Sequence, residues 1–137
     1  MALHFTKEEF QKRKVDVLYA MKGQNLDALL MFRQESMYWL TGYDTFGYVF
    51  FQTLILDKNG NITLLTRAPD LRQAQNTSNI EDIRIWVDKD GANPTDDLKL
   101  ILIYLQHCNS FLMIYLISKH YDLSFHKPHT QYQFFFL

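Results

Sequence analysis

Apolar positions in the first hundred residues fall into short runs, each closed by a turn or cap signal. Thr6 followed by Glu9 is a capping-box pattern that predicts the start of a helix. Phe10, Val17, Leu18 and Met21 then recur at helical spacing, with the Lys14 stem along the same stripe, and Gly23 suits the stop. The continuous apolar run from Leu26 to Phe32 predicts a buried strand. Glu35 to Leu40 predicts a helical turn ended by Thr41-Gly42. The aromatic and β-branched segment from Tyr48 to Leu56 predicts a strand, Asp57-Lys-Asn-Gly-Asn61 a turn, and Ile62 to Thr66 the returning strand of an antiparallel hairpin. Pro69 belongs in the first turn of a helix reaching about Asn76, where its missing N–H costs nothing. Ile83 to Val87 predicts a further strand, and Asn93-Pro-Thr-Asp-Asp97 the acid-rich start of another helix. The order α-β-α-β-β-α-β-α predicts the α/β class, a mixed β-sheet flanked by helices.

The pattern changes near residue 98. All five glycines and fourteen of the fifteen acidic residues lie before it, and four of the five histidines lie after it. Beyond Lys99 the charged residues are Lys119, Asp122 and Lys127, and the chain ends in Phe134-Phe-Phe-Leu137. We therefore expect a domain over residues 1–103. Residues 104–137 read as a divergent apolar tail, for which a frameshift, a truncated gene or an alternative terminus is favoured over a specialised tail. A chain of 137 residues has room for one core.

Composition narrows the function. A formal charge of −1 gives no electrostatic basis for nucleic-acid binding. One cysteine, Cys108, excludes an intrachain disulfide and points to a reducing, cytoplasmic setting, and the charged N-terminus predicts no signal peptide. Residues 98–117 have the length of a membrane span, but Gln106-His-Cys-Asn-Ser110 at the centre argues against insertion. His126 and His129 lack the further ligands a metal requires. Cys108 beside His107 reads as a small hydrophobe, because adjacent side chains on a helix diverge. The polar-aromatic segment Ser36 to Gln52, bracketed by glycines, has the character of a binding loop. Taken singly, its Tyr38, Trp39, Phe46 and Phe50 read as core aromatics. Thr66-Arg-Ala-Pro-Asp70 reads as a helix cap with a local ion pair.

The string Phe5, Arg13, Leu26-Asp-Ala-Leu-Leu30, Met37-Tyr-Trp-Leu-Thr-Gly-Tyr43, Thr66-Arg67 and Asp70 resembles the N-terminal domain of creatinase and prolidase-type enzymes, the two-domain pita-bread hydrolases. The resemblance covers Met1 to Ile103 and implies a mixed sheet flanked by helices. It places the chemistry in a C-terminal domain, where two Asp, one His and two Glu hold a divalent metal pair in the peptidases. It therefore implies no catalytic residue, metal ligand or cofactor in this chain. The implied roles are dimerisation and covering the active site. In creatinase a Phe and an Arg after the Gly-Tyr pair reach the substrate; Tyr48 and Phe50 align with them. Tyr48 keeps an aromatic face, whereas Phe50 has no charge or donor for a carboxylate.

The expected function is a non-catalytic N-terminal domain of an Xaa-Pro peptidase or creatinase-like hydrolase, associating as a homo-oligomer, most simply a dimer. A free-standing binding or dimerisation module that has lost catalysis is the alternative.

Overall fold

The computed structural model describes residues 4–107 and 114–117. The readings on Cys108, the His126/His129 pair and the terminal Phe-rich segment lie outside the described residues.

Helix α1 spans Lys7–Gly23, capped by the Thr6 hydroxyl, which accepts the Glu9 N–H at 3.2 Å. It ends at Gly23, as expected, but Gly23 is not the left-handed residue of the stop. The Gln24 N–H folds back to the Ala20 and Met21 carbonyls, and Asn25 takes the left-handed conformation at φ 55°. Asparagine tolerates that region better than most side chains, so no glycine is needed there.

Strand β1 spans Ala28–Met31, helix α2 Gln34–Thr41, strand β2 Thr53–Asp57 and strand β3 Ile62–Arg67. A single 3-10 turn over Ala68–Asp70 carries Pro69 and leads into α3 (Leu71–Thr77). Strand β4 (Asp82–Trp86), helix α4 (Pro94–His107) and strand β5 (Ile114–Ile117) complete the order.

The sheet runs β4-β3-β2-β1-β5. Its two inner pairings, β1 with β2 and β2 with β3, are antiparallel; the outer ones, β3 with β4 and β1 with β5, are parallel. This is the expected mixed α/β sheet. The hairpin turn also forms as read. The Asp57 carboxylate accepts the backbone N–H groups of Asn59 and Asn61 at 2.8 and 2.9 Å, and Gly60 adopts φ +88°.

Residues of β1 alternate between two cores, so the whole strand is buried and reads as an unbroken apolar run. Leu29 and Met31 join Leu54, Leu56, Leu64, Met37 and Leu40 on the face holding α1, α2 and α3. Ala28 and Leu30 join Ile55, Leu65, Trp86 and Ile101 on the face covered by α4. Each fully buried Leu or Ile contributes about 1.5–3 kcal/mol.

The strand expected from Tyr48 begins only at Thr53. Residues 48–52 are loop, with a turn in which the Phe50 N–H reaches the Gly47 carbonyl at 2.9 Å. Local β-propensity loses here because the preceding chain is tied to Asp70 rather than to a neighbouring strand.

Candidate functional site

The loop between α2 and β2 is built outward from the Thr41-Gly42-Tyr43 turn. Gly42 takes φ 80° and returns its N–H to the Tyr38 carbonyl at 2.8 Å, ending α2. The Thr41 hydroxyl donates to the Met37 carbonyl at 2.6 Å and accepts the Tyr43 N–H at 3.2 Å. Together these turns drive Tyr43 into the core, where it is fully buried.

The Tyr43 hydroxyl donates to Gln52 Oε1 at 2.9 Å. Its proton is thereby committed, so the Thr66 hydroxyl, 3.1 Å away, donates to it. Gln52 Nε2 donates to Gln34 Oε1 at 3.1 Å, and Gln34 Nε2 donates to the Tyr43 carbonyl at 2.8 Å. This network ties both ends of the loop to α2 and β3. Burial pushes the Tyr43 phenol above its usual pKa, against the opposing effect of the Thr66 hydrogen bond.

A second anchor holds the middle of the loop. The Thr45 hydroxyl donates to Asp70 Oδ1 at 2.9 Å and accepts the Gly47 N–H at 2.9 Å. Asp70 is buried, with Oδ2 3.5 Å from Arg67 Nε. That charge pairing offsets part of the desolvation of the carboxylate; Asp70 Oδ2 and Arg67 Nε make no hydrogen bond among the described residues. The Arg67 guanidinium lies 3.5 Å from the Phe50 ring centroid, and its Nη1 is 4.0 Å from Asp88. The Arg67–Asp70 pair read from the sequence is therefore the floor of the loop.

Above this floor the loop presents Phe46, Tyr48, Val49 and Phe50, which are 88%, 56%, 65% and 41% exposed. The expectation that Phe46 and Phe50 are core aromatics is thus corrected: the anchors occupy the interior and turn both rings outward. Trp39 is corrected likewise, at 45% exposed, whereas Tyr38 is half-buried. The two expected substrate-facing residues, Tyr48 and Phe50, share this loop. Phe50 cannot donate a charge, but it lies over one that Arg67 supplies. That stack was missed from sequence, where Arg67 and Phe50 lie in different elements.

The remaining motif residues form a structural cluster. The Arg13 guanidinium lies over the rings of Phe5 and Trp39, at 4.1 and 5.4 Å, and near that of Phe10. It donates to the Trp39 carbonyl at 2.7 Å and pairs with Glu9. This locks α1 against α2.

Among the described residues no group of three or more His, Cys, Asp or Glu side chains is placed to hold a metal ion. No described helix is long and apolar enough to cross a membrane.

Comparison with known proteins agrees with this architecture. The chain is 31% identical over 84 residues to an uncharacterized hydrolase/peptidase of Sinorhizobium fredii, covering 61% of this chain and 21% of that protein. It is 30% identical over 91 residues to the ectoine hydrolase of Halomonas elongata, covering 66% and 21%. The chain thus spans about a fifth of the length of the curated relatives it matches. Among solved structures, the N-terminal domain of an X-Pro dipeptidase from Streptococcus pyogenes superposes with TM-score 0.64 at 16% identity, covering 82% of this chain and 80% of that one. A prolidase from Thermococcus sibiricus gives 0.65 at 18% identity, covering 82% and 29%. These two likenesses establish the fold. The family described as the Creatinase/Prolidase N-terminal domain matches residues 13–109, well over half of the chain. The turn at Thr41-Gly42-Tyr43, the mixed sheet and the length of this match lead to one assignment: the chain belongs to the creatinase/prolidase N-terminal domain family.

Proposed function

We propose that this domain is the non-catalytic, substrate-covering and self-associating part of a hydrolase of the Xaa-Pro peptidase and creatinase type. The observation that carries this reading is the loop of residues 42–52, which exposes four apolar side chains from a base held by buried hydrogen bonds. Ordinary surface loops are polar and weakly anchored; a rigid aromatic loop suits contact with a ligand or a neighbouring domain. Tyr48 and Phe50 would face the substrate and exclude water from it, and Phe50 would shield Arg67. Any divalent metal pair belongs to the partner catalytic domain.

Two measurements test this. The purified chain is expected to hydrolyse no Xaa-Pro dipeptide, with or without added manganese; turnover that survives further purification would overturn the non-catalytic assignment. Light scattering across a tenfold dilution is expected to show an assembly larger than one chain, and a monomer throughout would remove self-association. Sequencing the transcript past codon 137 addresses the parent enzyme. A downstream Asp, Asp, His, Glu, Glu ligand set supports it; stops in all frames would overturn it in favour of a free-standing module.

A further inference from the structure

We propose that strand β4 is the seat of self-association, pairing antiparallel with β4 of a second copy to join the two sheets edge to edge. This rests on the self-association part of the proposed function and goes beyond it by assigning the surface and register.

Among the described residues β4 bonds only to β3, so its outer edge offers unpaired backbone N–H and C=O groups. Such an edge is usually blunted by shortness, charge, proline, lysine or a bulge. Here the strand is five residues long, and its charges, Asp82 and Arg84, are opposite in sign and so can pair rather than repel. Asp82-Ile-Arg-Ile-Trp86 has neither proline nor lysine, and its register with β3 is continuous over all five positions. Ile85 and the following Val87 are 43% and 54% exposed, an apolar flank beside an open edge. The formal net charge of −1 opposes association only weakly.

Charge selects both the occupant and the register. A twofold axis perpendicular to the sheet keeps corresponding faces together, so opposed residues must have the same parity. Centring the axis on Arg84 would set two guanidinium groups against each other. Centring it on Ile85 would set Asp82 beyond the end of the strand, against Asp88 of the other copy. Centring it on Ile83 sets Asp82 opposite Arg84 twice. In one chain these residues already pair along the strand, with Arg84 Nη2 3.1 Å from Asp82 Oδ2. Across an antiparallel pair their Cβ atoms would approach to about 5 Å, closer than the roughly 7 Å between alternate residues of one strand. Ile85 would then lie opposite Glu81 of the second copy, its carboxylate free to turn to solvent, and pack diagonally against Ile83. The segment is complementary to itself, so a second copy of this chain fits it.

The test is a charge swap in the whole chain. Asp82→Arg sets four basic groups together in a homodimer, and Arg84→Asp sets four acidic ones. Each variant alone should raise the dimer dissociation constant by about tenfold or more in sedimentation velocity. An equimolar mixture should restore association, because each repelled pair becomes an attractive one. Circular dichroism checks folding. Should either variant unfold, hydrogen exchange of the wild type replaces it: the outward β4 amides must slow with rising concentration. A monomeric wild type overturns the proposal, as does a mixture that stays monomeric or concentration-independent exchange in β4. Variants that dimerise like the wild type also overturn it, leaving self-association to another face.

Discussion

Gly47→Ala tests the central feature of the site, the contact between the loop and Asp70. A β-carbon on residue 47 would lie 2.5 Å from both Asp70 carboxylate oxygens and 2.7 Å from its Cγ. Carbon–oxygen contacts below 3.0 Å are essentially unknown, so the carboxylate or the loop must move by at least 0.5 Å. Asp70 has a short, buried side chain and cannot swing aside as a lysine would. Retreat would lengthen its 2.9 Å bond from the Thr45 hydroxyl and disturb its approach to Arg67. Hydrogen bonds to a charged group contribute about 1.5–3 kcal/mol, so the variant should lose about 1.5–3 kcal/mol of stability. In a domain of this size that lowers the melting temperature by roughly 5–9 °C. Urea unfolding of Gly47→Ala, Asp70→Ala and the double variant completes the assay. Asp70→Ala removes the obstructing oxygens, so Gly47→Ala should cost less than about 0.5 kcal/mol in that background. A full cost in both backgrounds, or a neutral Gly47→Ala in the wild type, would refute the anchored-loop reasoning.

Tyr43→Phe removes the hydroxyl shared by Gln52 and Thr66 and should cost about 1–3 kcal/mol, measured by urea unfolding. Because the folded Tyr43 pKa is raised above 10.0, its contribution is full below that pH and declines as pH rises through the folded value. The alkaline fall in melting temperature should therefore be shallower in Tyr43→Phe; an unchanged slope would refute it. Gly60→Val forces a β-branched residue to φ +88°, with Leu18 Cδ1 3.3 Å from the new β-carbon, and should cost about 1–3 kcal/mol. An unchanged melting temperature would remove that turn conformation. Arg13→Lys keeps the charge but loses the planar stack between Phe5 and Trp39, and should cost about 1–2 kcal/mol in thermal unfolding. A variant as stable as the wild type would show that charge alone suffices there.

Local chemistry made several parts of this protein legible from its residues. The Thr6–Glu9 cap, the Thr41-Gly42 stop and the Asp57 to Asn61 turn each depend on groups within a few positions, and each forms where its pattern lies. The buried run of β1 and the alternation of helices and strands were enough for a mixed sheet. The motif around Tyr43 was legible as a family resemblance, but not as a physical device. Only the folded chain brings Gln34, Gln52 and Thr66 around its hydroxyl and carbonyl, so its role as an anchor appears in three dimensions alone. The same reason accounts for the misread strand at 48–52. Its residues favour extended structure, but a strand requires a partner at hydrogen-bonding distance, and the Thr45–Asp70 and Gly47–Thr45 hydrogen bonds instead draw this backbone into a loop. Propensity and periodicity report the preferences of a segment. Which surface meets Asp70, which ring covers Arg67 and which sheet edge stays open are decided by long-range packing, where local preference is one small contribution among many.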